Sequence, residues 1–481
     1  MVKPSREETV AAGTSGSGDG KDALEKSLVE QLDKKFGIAT QLNNAGDMVG
    51  SILTIATLFG LAEALKLEGT RFNVLIAMMR IGHMISPVRL DWVRNKVCKS
   101  HASLPGFACA MGVLLVLLSV FPSYPRAICI LFLLGIVDAA LEYSLAVLIR
   151  SWYTSKEVRL IGSGAASANI WAAINVSILV FMAQWKGLPG EHDWWSILLT
   201  VGTAFAIYYA PLVYWRHPRF PETAAWPTQA ERALLEQRST QRSPMISAPD
   251  PNARLTFSVL RNATLWKHAL LQMPSEMALT YATFWPVIVA GACGVEKMTP
   301  GWLLASACPW IVPALLRIGI SRKFRTITPE FMAGQLALQW LCSLLAFVGF
   351  GIASLTTHRF LLVPALVVMP LHDIGRLTSL FAFVSLPPAL FSDPSEIKSA
   401  RFFSGLAGSA GTLLGTFLWP VTYEASTYKI AFGVQAAATL LSTYAVHFCV
   451  GEIRTRRAAR SEAEEEYVPL QVGSKELDAA V

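Results

Sequence analysis

Arg126-Ala-Ile-Cys-Ile-Leu-Phe-Leu-Leu-Gly-Ile-Val-Asp138-Ala-Ala-Leu-Glu142-Tyr-Ser-Leu-Ala-Val-Leu-Ile-Arg150 reads as a helix that lies in lipid. Between its flanking arginines only Asp138 and Glu142 are charged. About 20 apolar residues rising 1.5 Å each cover the roughly 30 Å hydrocarbon layer of a bilayer. Backbone groups in lipid must be satisfied within the segment, so such a run is helical. The two carboxylates are one turn apart and share a helix face, an arrangement that lipid would penalise unless that face turns inward.

Runs of the same kind recur along the chain. Spans are expected near 48–65, 72–88, 103–121, 126–149, 161–184, 194–215, 266–292, 301–320, 331–354, 359–384, 399–421 and 427–450, two sets of six around a polar central stretch. The expected fold is an all-α membrane protein with twelve transmembrane helices in two bundles. Five regions follow: a cytosolic tail (1–45), a first bundle (46–215), a basic central loop (216–265), a second bundle (266–452) and a cytosolic tail (453–481). Composition agrees, since 53% of the 481 residues are hydrophobic and only 16% are charged, against about 25% charged in a soluble domain. Mean hydropathy is +0.43.

Loop charge orients the spans. Loops after even-numbered spans carry Arg89, Arg94, Lys96 and Lys99, then Arg150, Lys156 and Arg159, then eight basic residues from Arg216 to Lys267, then Arg317, Arg322, Lys323 and Arg325, then Lys398 and Arg401. The intervening loops hold one or two each. Basic residues stay cytoplasmic, so both termini and the central loop are expected in the cytosol. The net charge of +7 is thus explained by topology, and no nucleic acid partner is implied. The seven cysteines lack paired spacing and suggest neither a disulfide framework nor a zinc site. The polar, Gly/Ser-rich start of the tail is not a cleavable signal peptide, which leaves targeting to the first apolar run.

Several segments resemble the fungal anion:cation symporters, the branch of the major facilitator superfamily that includes allantoate, nicotinate and pantothenate permeases. Leu24-Glu-Lys-Ser-Leu-Val-Glu-Gln-Leu-Asp-Lys-Lys-Phe36 is similar to that branch's amphipathic leader, and Lys66-Leu-Glu-Gly-Thr-Arg-Phe-Asn73 to the opening of its second span. Phe132-Leu-Leu-Gly-Ile-Val-Asp138-Ala with Ser151-Trp-Tyr-Thr-Ser-Lys-Glu157 resembles the branch's fourth-span pattern. Pro218-Arg-Phe-Pro221 through Trp226, Glu231-Arg232 and Arg238 resembles the segment after its sixth span, and Phe284-Trp-Pro286 its seventh. The chain departs from the branch at Leu131 (arginine there), at Asp138 (glutamate there), over the polar stretch 36–46 and at Arg322-Lys323. The resemblance implies a monomeric carrier in a fungal plasma membrane.

Carriers of this type bind substrate near the midplane, between two bundles, and ionisable groups at that depth are functional candidates. Asp138 and Glu142, repelling each other when both are ionised, are candidates for proton coupling, as is Glu276 two residues past Pro274. Arg376, His372 and Arg80 are candidates for holding an anionic group, because a guanidinium fork matches a carboxylate. Tyr281 could stack on a ring-bearing substrate, and Asn169 could line the cavity. Each has a plainer account: an ion pair within one helix for Asp373 and Arg376, amide bonds between helices for the asparagines. Small-residue spacing at Gly405, Gly408, Gly411 and Gly415 lets backbones approach closely. No phosphate-binding loop occurs, and the acids and histidines lack metal-ligand or nucleophile spacing, so neither an ATP-driven pump nor an enzyme is expected, and no cofactor. The leading expectation is proton-coupled transport of a small organic anion. An exporter of the same fold, or a transport-dead sensor or interaction paralogue, stays open.

Overall fold

A computed structural model describes residues 25 and 27–32, 49–86, 102–152, 193–216, 223–240, 256–292, 329–375, 393–420 and 425–477, with a few isolated positions besides. Every regular element among them is helical. The first set comprises α1 (Val49–Ala56), α2 (Arg71–Ile85), α3 (Ser103–Val120), α4 (Tyr124–Trp152) and α5 (Asp193–Thr203). A central α6 (Gln229–Thr240) follows. The second set comprises α7 (Ala263–Met277), α8 (Tyr281–Ala292), α9 (Pro329–Leu355), α10 (Arg359–Val368), α11 (Pro394–Thr416) and α12 (Tyr428–Leu477). Ten of the expected spans fall on described helices, the tenth only as far as Gly375; the fifth lies outside the described residues, and of the eighth only Ile311, Leu315 and Leu316 are described.

Five helical stretches are long and apolar enough to cross a bilayer by length and composition: Ser103–Val120, Tyr124–Ile149, Trp194–Trp215, Leu336–Leu355 and Tyr428–Arg456. Several spans are interrupted, the long Trp194–Trp215 stretch among them, and the interruptions have chemical causes. After α1 the chain makes a wide turn at Thr57–Leu61, where Gly60 has φ 102°, a conformation that side chains with a Cβ resist. A second wide turn, Ala204–Tyr209, links α5 to a continuation at Ala210–Arg216. Pro211 lies just beyond it, and a proline cannot donate to the carbonyl four residues back.

The expected seventh span is two helices. Between α7 and α8 the amides of Leu279, Thr280 and Ala282 bond three residues back, to Glu276, Met277 and Leu279. Ala282 thereby abandons the Ala278 carbonyl, and Gln435 of α12 donates to it across 2.6 Å. The tenth span is likewise divided: α10 tightens into a 3-10 segment, Met369–Gly375, around Pro370. Tyr281 connects the two breaks, its hydroxyl reaching the Met369 carbonyl at 3.5 Å.

Helix starts follow ordinary capping chemistry. Asn262 accepts from the amides of Thr264 and Leu265 at the start of α7, and Asp393, followed by Pro394, caps α11. At α6 the Thr228 amide donates to Glu231 at 2.8 Å and the Glu231 amide to the Thr228 hydroxyl at 3.3 Å, the reciprocal box that satisfies two free donors.

Most helix packing stays within each set. Among the described residues, the most extensive crossings between the sets are α1 on α8 and α2 on α11. One continuous apolar core spans both sets, and its members in the second set lie within 281–292, 346–353, 362–369 and 428–436, with Trp419. All of these lie toward the loops that follow odd-numbered spans. At the opposite end the second set forms separate clusters, one of Ala445 to Ile453 with Leu271 and Leu336, another of Val259, Leu265, Phe391 and Ala400. The leader also packs at that end: Leu28 and Leu32 are fully buried against Leu148, Trp152, Leu234 and Leu235. Trp152 and Trp226 stack at 5.2 Å, and the Gln31 amide donates to Glu231 at 3.2 Å.

Candidate functional site

Within the first set, α2 and α4 lie against each other at glycines. A methyl group at Gly82 would run into the Phe132 carbonyl, and one at Gly135 into the Met79 carbonyl. Such backbone-to-backbone approach brings polar groups of the two helices within reach across a short gap. His83, next to Gly82, places Nε2 3.0 Å from the Glu142 Oε2 of α4. The histidine side chain is 25% exposed and the glutamate 58%. Asp138 is half-buried on the same helix, one turn before Glu142.

Arg80 lies one turn before His83 on α2, half-buried at the seam between the sets. Its guanidinium donates to the Thr283 hydroxyl of α8 at 3.4 Å, and its buried Nε has no partner among the described residues. Thr283 is also where α1 meets α8: a Cβ at Gly50 would sit 2.9 Å from the Thr283 methyl. The cation is therefore held at a three-helix crossing by a neutral group. Two turns before it, fully at the seam, the Asn73 amide donates to the carbonyls of Thr416 at 2.6 Å and Trp419 at 2.8 Å. Phe72 meets Phe284 edge to face at 5.9 Å. Asn73, Phe72 and Arg80 of α2 thus all contact the second set.

The remaining candidates lie elsewhere. Glu276 is half-buried on α7 and faces Gly408 of α11, where Gly408, Gly411 and Gly415 give α7 its close approach, as the small-residue spacing predicts. Tyr281 is buried, its ring edge to face with Trp285 at 6.0 Å and Phe350 at 5.5 Å. His372 is buried in the second set, its Nδ1 3.4 Å from the Ser343 hydroxyl of α9. Asn169 and Arg376 lie outside the described residues. The structure thus gathers Arg80 with the His83, Asp138 and Glu142 helices, and sets His372 and Tyr281 among the second set's own helices. Sequence reading did not single out Asn73 and Thr283 as site residues. Their only signal was that each stands inside or beside a segment with family resemblance. No group of three or more histidines, cysteines or acids with metal-binding geometry occurs among the described residues.

Comparison with known proteins gives this geometry its context. The chain is 22% identical over 416 residues to the MFS-type transporter cnsO of Penicillium expansum, covering 80% of this chain and 75% of that one. It is 21% identical over 425 residues to the uncharacterized transporter C417.10 of Schizosaccharomyces pombe, covering 86% and 72%. Among solved structures, a proton dependent oligopeptide transporter superposes with a TM-score of 0.60 at 12% identity, covering 88% of this chain and 99% of that chain. The xylose transporter XylE from E. coli, in a partially occluded inward open conformation, gives 0.58 at 11% identity, covering 85% and 97%. The chain has the fold of the major facilitator transporters. No family model matches it. The relatives it matches are named as transporters, which points to a carrier of small molecules rather than an enzyme, and the seam at α2 lies between the sets of helices that carriers of this fold move against each other.

Proposed function

We propose that this transporter carries a small organic anion together with protons, by alternating access between two bundles bounded at 46–215 and 266–452. The reading rests on Arg80: a guanidinium half-buried at the seam, opposite a hydroxyl and with no carboxylate partner among the described residues, keeps its charge available to a substrate. His372, in the 3-10 segment after α10, with Tyr281, Arg376 and Asn169, completes the proposed substrate set. The proton passes through the acids. Glu142 has a hydrogen-bonding partner in His83, and Asp138, one turn away on the same helix, adds a second carboxylate. Glu276 is the third member, on the opposite set.

The protein works as a monomer in the plasma membrane, with the leader, α6 and the end of α12 in the cytosol, an orientation supported by the basic residues of the loops after even-numbered spans. Each charge moved across 100 mV is worth about 2.3 kcal/mol, ample for accumulation. The test is uptake of labelled monocarboxylates into proteoliposomes with and without an inward proton gradient, alongside Asp138→Asn. Gradient-driven uptake lost in the variant is expected. Uptake indifferent to both gradient and variant would refute proton coupling.

A further inference from the structure

The two hydrogen bonds from Asn73 lead beyond substrate chemistry. A helix ends with carbonyls that have no partner in the helix itself. At the end of α11 the amides of Phe417 and Leu418 fold back onto Leu414 and Gly415. The carbonyls of Thr416 and Trp419 receive the Asn73 amide, at 2.6 and 2.8 Å, from a helix of the other set. Asn73 is buried, as is Trp419. The acceptors are backbone atoms, so only the α2 side of this contact depends on side-chain identity. The bond also sits where the apolar core is continuous across both sets, the end at which they are closed on each other.

We infer that Asn73 is a latch: a positioning residue that caps α11 from across the seam and holds the odd-loop end shut. When the sets part there, one side-chain amide and two carbonyls lose their partners together, so the contact biases the equilibrium in proportion to those bonds. A polar side chain placed merely for packing would not select one conformation over another.

The experiment reads conformation without substrate, so it stands or falls separately from the anion proposal. Spin labels introduced through an unnatural amino acid at the exposed Glu68 and Ser426 report the separation of the two sets at this end in purified full-length protein in nanodiscs. The unaltered chain is expected to give mainly the short distance. Asn73→Leu, similar in volume but without donors, is expected to raise the separated fraction on the order of 10- to 30-fold, as loss of two ordinary neutral hydrogen bonds implies. Asn73→Asp, which sets an acceptor against two acceptors, should raise it at least as much. Thr416→Val, which keeps the backbone acceptor, should leave the distribution as it is. Unchanged distances in both Asn73 variants overturn the latch. So does failure of both to fold, because the residue would then hold the fold itself and not one conformation of it.

Discussion

The Nε2 of His83 lies 3.0 Å from the Oε2 of Glu142, joining α2 to α4 one turn beyond Arg80. Glu142 is 58% exposed, and where that exposure meets water and not lipid the pair is screened and contributes little to stability. In the proposed coupling its role is exchange, because a carboxylate beside an imidazole gives the proton two neighbouring sites. Glu142→Gln retains the shape and a hydrogen bond to His83 while removing the titratable group. Uptake into proteoliposomes should lose its dependence on a pH gradient, and thermal unfolding of the detergent-solubilised protein should be little changed. Gradient dependence that survives in Glu142→Gln removes this residue from the coupling machinery.

The α2–α4 crossing gives a prediction about folding alone. Gly82→Ala or Gly135→Ala would drive a methyl group into a backbone carbonyl, which cannot rotate away. Overpacking of this kind costs about 1–3 kcal/mol. At Gly106 in α3 an added Cβ would meet nothing within 4 Å, and alanine is the better helix former by roughly 1 kcal/mol. Thermal stability should therefore fall for the first two variants and hold or rise slightly for Gly106→Ala. A stable Gly82→Ala protein would mean that the two helices do not approach as described.

What could be read from the sequence was whatever is local. Hydropathy placed the spans because each one solves its own solvation problem. At Pro370 a 3-10 segment follows from the proline's missing donor. The small-residue face of α11 was legible by its spacing. The seam was not. Asn73 and the Thr416 carbonyl are 343 positions apart, and their pairing depends on how two finished bundles meet. Nothing in the segment around Asn73 says that its amide will find a backbone acceptor, and a threonine such as Thr283 looks like any helix-facing hydroxyl until Arg80 is placed beside it. The leader's amphipathic pattern was visible, yet its docking partners, Trp152 and α6, come from distant segments.

Arg80 tests the anion reading by shape as well as charge. Lysine keeps the positive charge but offers a point donor in place of a planar fork. If the substrate carboxylate is held by two parallel bonds, Arg80→Lys should raise KM about tenfold with little change in the maximal rate, equivalent to about 1.4 kcal/mol. Arg80→Met should abolish saturable uptake. Equal transport of a neutral analogue by the unaltered chain and by Arg80→Met would show that the guanidinium does not bind the solute.

Thr283 restrains Arg80, and loosening it should favour substrate. The bond of 3.4 Å is long, near the limit at which a hydrogen bond carries energy, so its loss costs under about 1 kcal/mol. Thr283→Val preserves the branched shape that packs against Gly50 and removes only the hydroxyl. The guanidinium then has no competitor at the seam, and apparent affinity for the anion should rise about threefold, since the cost of breaking the resting contact no longer opposes binding. Thr283→Leu has the same lack of a hydroxyl with extra bulk against α1, and should destabilise the protein by about 1–3 kcal/mol. Substrate-dependent thermal shifts of the two variants separate these effects. An affinity that falls in Thr283→Val would mean that the hydroxyl orients Arg80 toward the solute and does not hold it back.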